Sequence, residues 1–227
     1  MYLARGFLNP VSRDVGRDLR DLTGLHRTVL RAFPDGLGAT PRATAGVLFR
    51  VDVGRGGALL VIQSRERPDL GKLPPRYFLD PDDDRLFDLG WSTNPRVEAI
   101  DVARYVDGTR LAFRLVANVT KKIDTKTGPD GKRRNGKRVP LRTDDERMAW
   151  LARHARDAGF AVVDARVNAG AAASGSRGEA DPVTFAGTRF DGVLEVRDAD
   201  RFREALATGI GPGKAYGFGL LSIAPLR

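Results

Sequence analysis

The stretch TGLHRTVLRAF, residues 23–33, contains one of the two histidines of this chain together with two arginines. An imidazole has an ordinary pKa of about 6.5, so it gains or loses a proton near neutral pH. One hypothesis is that His26 transfers a proton beside a phosphate whose charge Arg27 and Arg31 stabilise. The alternative is a structural histidine, because His26 also falls beside the apolar arc of a predicted helix.

Metal-dependent chemistry has few ligands available in this sequence. The chain has no cysteine, which excludes disulfides and thiolate metal sites. A zinc site would need His26, His154 and carboxylates, and their spacing matches no metal-binding motif. His154 lies four residues after Trp150 on a predicted helix, where ring stacking or surface exposure accounts for it. The sequence therefore predicts chemistry without metal or cofactor.

The positive charge is concentrated in one stretch. The chain has a formal net charge of +9, and residues 118–142 contain nine Lys or Arg and two Asp, a net charge of +7. This concentration favours contact with RNA or DNA, although a solvated basic loop would have the same composition. The turn motifs GPDG and NG predict a protruding hairpin. The residues expected to contact phosphate are Lys121, Lys122, Lys126, Lys132, Arg133, Arg134, Lys137 and Arg138.

The segment GIGPGKAYGFGLL, residues 209–221, has five glycines and one lysine. Its spacing does not match a Walker A loop, and it follows a predicted helix, where a dinucleotide-binding loop would follow a strand. One glycine would serve a tight turn, so five glycines predict a loop whose backbone a polyanion approaches closely. The residues expected to bind RNA here are Lys214, Gly211, Gly213 and Gly217.

Local patterns predict the elements that position these residues. Apolar spacing predicts a helix from about Gly24 to Phe33, with Thr23 as its N-cap. The motif TDDE, residues 143–146, is a capping box that begins a second helix, and Asp198 begins a third. Residues 168–181 are predicted to form a loop, and no elements are assigned within 67–108. The predicted strands are 2–9, 43–53, 57–66, 109–119, 138–141, 160–167, 183–198 and 215–226.

The order of these elements predicts the fold class. The second half reads β-α-β-β-α-β, and the first half fits the same order apart from its unassigned stretch. We therefore predict an α+β protein with two tandem ferredoxin-like (RRM-like) domains. The first would span residues 1–120 and the second 138–227, joined by a basic linker at 121–137. The stacking aromatics of RNA-recognition modules are not evident, so RNA would be recognised through backbone shape and charge.

Targeting and membrane segments are not predicted. The N-terminus MYLARGFLNP lacks a basic-then-apolar signal pattern and reads as a strand. No apolar run approaches the roughly 18 residues that a membrane span needs. We therefore expect a cytoplasmic protein without a membrane partner.

Several stretches resemble the CRISPR repeat-RNA endoribonucleases of the type I-E system, the CasE family. They are MYLARGFLNP, LHRTVLRAFP, RLAFRLVANVTKK, GKRVPLRTDDERMAWL and, most specifically, FDGVLEVRDADRFREALATGIGPGKAYGFGLLSIAPL. The resemblance implies two tandem ferredoxin-like domains. It also implies metal-independent cleavage of precursor CRISPR RNA at the base of the repeat hairpin. Members of this family stay bound to the product, alongside other Cascade subunits.

The resemblance also implies roles for individual residues. It places the catalytic histidine at His26 and matches Arg31 to a basic residue that the family often has five positions later. Cleavage would proceed by attack of the ribose 2′-hydroxyl, leaving a 2′,3′-cyclic phosphate or 3′-phosphate and a 5′-hydroxyl. Several members have a tyrosine where this chain has Thr23, and Tyr216 or Tyr2 are the candidates to replace it.

Two other function classes compete with this interpretation. A non-catalytic RNA-binding subunit of a similar complex would have a structural His26. A ribosome-associated structural protein would show no preference for a hairpin. Cleavage of repeat RNA by the wild-type chain distinguishes the enzyme from both.

Overall fold

The computed structural model describes residues 1–38, 40–54, 56–123, 137–177 and 181–226. Two four-stranded antiparallel sheets and one two-stranded sheet contain the strands of this part of the chain. The helices of the first half are α1 (Arg13–Asp18), α2 (Leu22–Leu30), α3 (Pro41–Thr44) and α4 (Asp84–Asp88). Its strands are β1 (Tyr2–Phe7), β2 (Leu48–Gly54), β3 (Gly57–Ser64) and β4 (Arg96–Ala99).

The first sheet has the strand order β2-β3-β1-β4 and carries α2 on one face. Helix α2 buries Leu25 and Val29, which share one helical face, in a core with Phe49 and Ile62. Strands β2 and β3 form a hairpin in register from Leu48↔Gln63 to Gly54↔Gly57, as the sequence predicts. This packing fixes the rotation of α2 about its own axis relative to β2.

The start of α2 differs from the prediction. Asp21 is the N-cap, and its carboxylate accepts hydrogen bonds from the backbone N–H groups of Thr23 and Gly24, both at 3.0 Å. Thr23 was predicted to be the cap, but it is the second residue of the helix. Asp and Thr are both good N-cap residues, and in this helix the cap is Asp21, two residues before Thr23. His26 therefore lies in the second turn, not beside free N-terminal amides.

The second sheet has the order β10-β5-β9-β8. Its strands are β5 (Arg110–Asn118), β8 (Phe160–Arg177), β9 (Asp181–Val196) and β10 (Leu221–Pro225). Helices α5 (Asp144–Asp157) and α6 (Ala199–Thr208) contribute Trp150, Leu151, Phe202 and Leu206 to its core. Two antiparallel sheets, each with helices, give the α+β class and the two ferredoxin-like halves that the sequence predicts.

Local signals for the two long helices of the second half are confirmed. Thr143 and Glu146 form the predicted capping box, in which the Thr143 hydroxyl accepts from the Glu146 N–H at 3.2 Å. The Asp198 carboxylate caps α6 by accepting from the N–H of Arg201 at 3.0 Å. Such caps act within three residues of the helix start, which is why the sequence identifies them.

Strand β5 has a different partner from the one expected. The sequence analysis counted residues 109–119 with the first half, but β5 pairs along its whole length with β9. Its alternate residues Leu111, Phe113 and Leu115 are buried in the second core. Alternation predicts a half-buried strand without specifying its neighbour. The pairing favours a division of the two halves between β4 and β5, in place of the predicted division at residue 120.

Two other predictions about the second half are wrong. Residues 168–177 were predicted as a loop, but they continue β8, which pairs with β9 through a register shift. The predicted strand at 138–141 does not join the second sheet. It corresponds to β7 (Lys137–Pro140), which pairs with β6 (Thr120–Ile123) to form the two-stranded sheet at the base of the basic hairpin.

The two halves pack against each other through β2 and β3. Gln63 donates a buried hydrogen bond to the carbonyl of Leu206, and Arg50 donates one to the carbonyl of Leu220 at 3.3 Å. Leu48 and Val61 form a small apolar cluster with Leu220. The glycine-rich tail is thereby brought against the first sheet. Within the described ranges, no helix has the length and apolar character to cross a membrane.

A candidate active site around His26

His26 lies on α2 with its ring against the ring of Phe49. The two ring centroids are 6.0 Å apart and the planes differ by 21°. Phe49 is fully buried in β2, so it offers a rigid surface for the imidazole. The His26 Nδ1 atom is shielded from solvent and has no hydrogen-bond partner among the described residues. No described protein group therefore fixes the imidazole through this nitrogen.

The surroundings of His26 favour its neutral form. Burial lowers the pKa of the imidazole below its ordinary value, and the positive charges of Arg42 and Arg27 lower that pKa further. At neutral pH the ring is therefore unprotonated and can accept a proton. This is the protonation state that the general-base hypothesis requires.

Arg42 is part of the site, although the sequence analysis did not identify it. It lies in the short helix α3, and its Nη1 donates a hydrogen bond to the carbonyl of Val47 at 3.3 Å. Val47 comes two residues before Phe49 on the chain, so this bond holds the guanidinium next to the start of β2. A helix of four residues has no periodic pattern, and only the proline at its start marks it in the sequence.

Lys214 reaches the same site from the other end of the chain. It begins a 3₁₀ helix, Lys214–Tyr216, which is in contact with both α2 and β2. A Cβ atom at Gly217 would lie only 3.5 Å from Cε2 of Phe49, so this turn lies beside the ring that supports His26. Burial and the charge of Arg42 lower the pKa of Lys214. The structure therefore brings Lys214, Arg42 and His26 together.

The two arginines predicted beside His26 have different positions. Arg27 is exposed on the next helix position, and its charge reaches the imidazole. Arg31 is the C-cap residue of α2, where its backbone N–H bonds to the carbonyls of Thr28 and Val29. Five residues correspond to about 140° around a helix. The Arg31 side chain therefore leaves the helix on a different side from His26, and its predicted role in phosphate binding stays a prediction.

The glycines of the tail have a structural cause that the sequence analysis did not foresee. The prediction assumed that one glycine would suffice for the turn, but all five of them have φ between +77° and +86°. At Gly211 a Cβ atom would lie 2.8 Å from Cζ2 of Trp150. The glycine count therefore does not argue for a polyanion. Contact of Gly211, Gly213 and Gly217 with RNA stays a prediction, and Lys214 carries the charge of this loop.

The basic hairpin is described only at its base. Lys121 forms an ion pair with Glu146 at 3.1 Å, and the Arg138 guanidinium donates to the hydroxyl of Thr120 at 3.3 Å. Lys122 is exposed, and Lys137 lies in β7. The ion pair joins the base of the hairpin to α5, and the hydrogen bond joins β7 to β6. Four predicted RNA contacts lie outside the described residues: Lys126, Lys132, Arg133 and Arg134.

His154 has a structural explanation. Its ring lies 4.1 Å from the ring of Trp150, one turn earlier on α5, with the two planes tilted by 52°. The rings are in contact, as expected, but they are not stacked in parallel. Burial is the main cause that lowers its pKa. Over the described ranges, no cluster of three or more His, Asp or Glu side chains could hold a metal ion. The arrangement around His26 thus offers a proton acceptor and several cations.

Comparisons with known proteins identify the family of this chain. The family model described as "CRISPR associated protein" matches residues 1–225. The chain is 31% identical to CRISPR-associated endoribonuclease Cse3 of Thermus thermophilus, over 99% of this chain and 100% of the relative. It is 30% identical to CRISPR system Cascade subunit CasE of Escherichia coli, over 91% of this chain and 94% of the relative.

A solved structure of the endoribonuclease Cse3 bound to a 19-nucleotide RNA has the same fold. It superposes with a TM-score of 0.78 at 30% identity, covering 99% of this chain and 100% of that chain. The similarity extends over both halves and over the tail that carries Lys214. This chain belongs to the family of CRISPR-associated proteins.

Proposed function

We propose that this protein is an endoribonuclease that cleaves precursor CRISPR RNA at the repeat hairpin and stays bound to the product in a Cascade complex. The observation that carries the proposal is the neutral, partly buried His26 beside Arg42 and Lys214. The relatives support the substrate class, since one is named an endoribonuclease and another a Cascade subunit. A cytoplasmic location fits this substrate.

In the proposed reaction, His26 takes the proton of the ribose 2′-hydroxyl next to the cut. The 2′-oxygen forms a bond to phosphorus while the bond from phosphorus to the 5′-oxygen breaks. The leaving 5′-oxygen takes up a proton from water, and His26 returns the proton that it accepted to the solvent. The products are a 2′,3′-cyclic phosphate, which can open to a 3′-phosphate, and a 5′-hydroxyl. Neighbouring cations stabilise the negative charge on the phosphorane. The groups provided by the site are sufficient for this chemistry without a metal ion.

The position of the family tyrosine is occupied by Thr23, in the first turn of α2. Tyr216 is the better candidate to replace that tyrosine, because it shares the 3₁₀ helix with Lys214 and this turn contacts α2. Tyr2 lies in β1 beneath the guanidinium of Arg67, at 5.9 Å. We therefore assign Tyr216, and not Tyr2, to the edge of the site.

Incubation of end-labelled repeat RNA with the wild-type protein in EDTA tests the proposal. We expect cleavage, and we expect His26→Ala to cut about 10²- to 10⁴-fold more slowly while binding the hairpin with unchanged affinity. His154→Ala removes the other histidine and serves as the matched control. No cleavage by the wild type would leave the non-catalytic RNA-binding subunit as the function. Equal cleavage by wild type and His26→Ala would exclude the role of His26.

A further inference from the structure

Two cations near His26, Arg42 and Lys214, differ from two other buried or partly buried cations, Arg50 and Arg114, in their ion pairing. Arg50 is buried and pairs with Asp52 at 2.8 Å, and Arg114 pairs with Asp191. Within the described part of the chain, neither Arg42 nor Lys214 has a carboxylate near enough to offset its burial. Removing a cation from water is costly unless an anion compensates it. Both side chains are partly buried, so an anionic ligand bound between them would offset this cost.

The geometry of Arg42 leaves most of its donors available. A guanidinium has five N–H donors in a planar fork, and among the described residues Arg42 donates one hydrogen bond, to the carbonyl of Val47. That bond holds the fork near the start of β2, and the imidazole of His26 stacks on Phe49 of the same strand. Lys214 approaches from the 3₁₀ helix on the Gly217 side of Phe49. Two cations from distant parts of the chain thus converge near one imidazole.

We propose that Arg42, acting with Lys214, binds the phosphate at the cleavage site and holds it against His26. This assignment rests on the proposed function and names a catalytic residue for it. A guanidinium can bind two non-bridging phosphate oxygens at once, which orients the phosphorus for in-line attack. Because the oxygens gain negative charge in the transition state, Arg42 contributes more there than in the bound substrate.

Single-turnover cleavage of labelled repeat RNA by Arg42 variants tests this inference. We expect Arg42→Ala to lower the rate constant at saturating protein about 10²- to 10³-fold. Arg42→Lys keeps the charge but loses the two-point contact, so its rate is expected to lie between those of Arg42→Ala and the wild type. The control is Arg156→Ala, which removes an exposed charge from α5 and should cut at the wild-type rate.

Binding measurements separate catalysis from affinity and from folding. The probe is the repeat hairpin with a 2′-deoxy nucleotide at the cut, which binds but cannot react. We expect Arg42→Ala to bind this RNA within about threefold of the wild type, because uniform binding comes mainly from other phosphate contacts. If Arg42→Ala does not fold, the same measurements are made on Arg42→Lys, which keeps the positive charge.

The outcomes distinguish this inference from the function on which it rests. If the wild-type protein does not cut, the proposed function fails. If the wild type cuts and Arg42→Ala cuts as fast as Arg156→Ala, only the role of Arg42 fails. A rate loss in Arg42→Ala that is matched by an equal loss of affinity for the 2′-deoxy RNA would also overturn the role in catalysis. If Arg42→Ala does not fold, wild-type rates in Arg42→Lys would overturn the two-point contact.

Discussion

The rings of His26 and Phe49 lie 6.0 Å apart in nearly parallel planes, and Phe49 is completely buried. Phe49 also lies beside Gly217, and Gly217 belongs to the same turn as Lys214. One core side chain therefore supports both the candidate base and the loop that brings a cation to it. The position of the imidazole depends on the packing of the first core, and disturbing that packing should disturb cleavage.

Phe49→Leu tests this dependence. Loss of the flat ring should lower the cleavage rate about tenfold, because a catalytic group displaced by a fraction of an ångström loses alignment. The free energy of unfolding should fall by about 1.5 kcal/mol, as for a hydrophobic swap in a packed core. Phe113→Leu makes the same change in the second core and should cost similar stability without slowing cleavage. Rates that fall equally in both variants would point to a general effect of instability.

The pH dependence of cleavage should reflect the depressed pKa of His26. The neutral imidazole is the reactive base, so kcat/KM falls as the pH drops through the pKa of the free enzyme. Burial is the largest cause of the depression, followed by Arg42 and Arg27, so this midpoint should lie below the ordinary value of 6.5. Arg42→Ala removes one positive charge and should move the midpoint part of the way back. A wild-type midpoint above 6.5 would contradict the assignment.

The basic residues at 132–134 should contribute electrostatic affinity. Replacing Lys132, Arg133 and Arg134 together with alanine should weaken RNA binding and reduce the slope of log K against log salt by about 2.1 to 2.7, because each lost phosphate contact removes roughly 0.7–0.9. Filter binding between about 50 and 200 mM salt measures this slope. A triple variant of exposed arginines elsewhere, at positions 13, 153 and 156, removes the same charge. Equal slopes for the variant at 132–134 and the wild type would show that these three residues do not contact phosphate.

Gly211→Ala should destabilise the fold more than a positive φ alone explains. The added Cβ would meet Trp150 at 2.8 Å in addition to the strained backbone, whereas Gly36 has a similar φ of +86° and open space around it. We expect a loss of about 1 kcal/mol for Gly36→Ala and about 3 kcal/mol for Gly211→Ala. Denaturant unfolding measures both values. Equal losses would mean that the indole ring moves aside without cost.

The sequence predicts much of the fold because many of its signals are local. The capping box at Thr143 and the Asp198 cap act within one helical turn, and the β2–β3 hairpin is specified by alternation around a glycine turn. The strand at 168–177 was missed because its Ala, Gly and Ser residues show no apolar alternation. Strand β5 was recognised as a strand but grouped with the first half, since the residues of β9 that pair with it lie 69 to 85 positions away along the chain.

The candidate site was also predictable from the sequence only in part. By itself the sequence identified His26, Lys214, the concentrated basic hairpin and the CasE resemblance, because residue type, charge and motif are readable along the chain. Only the tertiary structure identified Arg42 as a cation near His26 and explained the glycines by the turn and by Trp150. These features depend on packing between segments far apart in sequence, such as α2 and the 3₁₀ helix that contains Lys214. Local patterns carry no information on such contacts, because burial and charge pairing arise only when the two halves pack together.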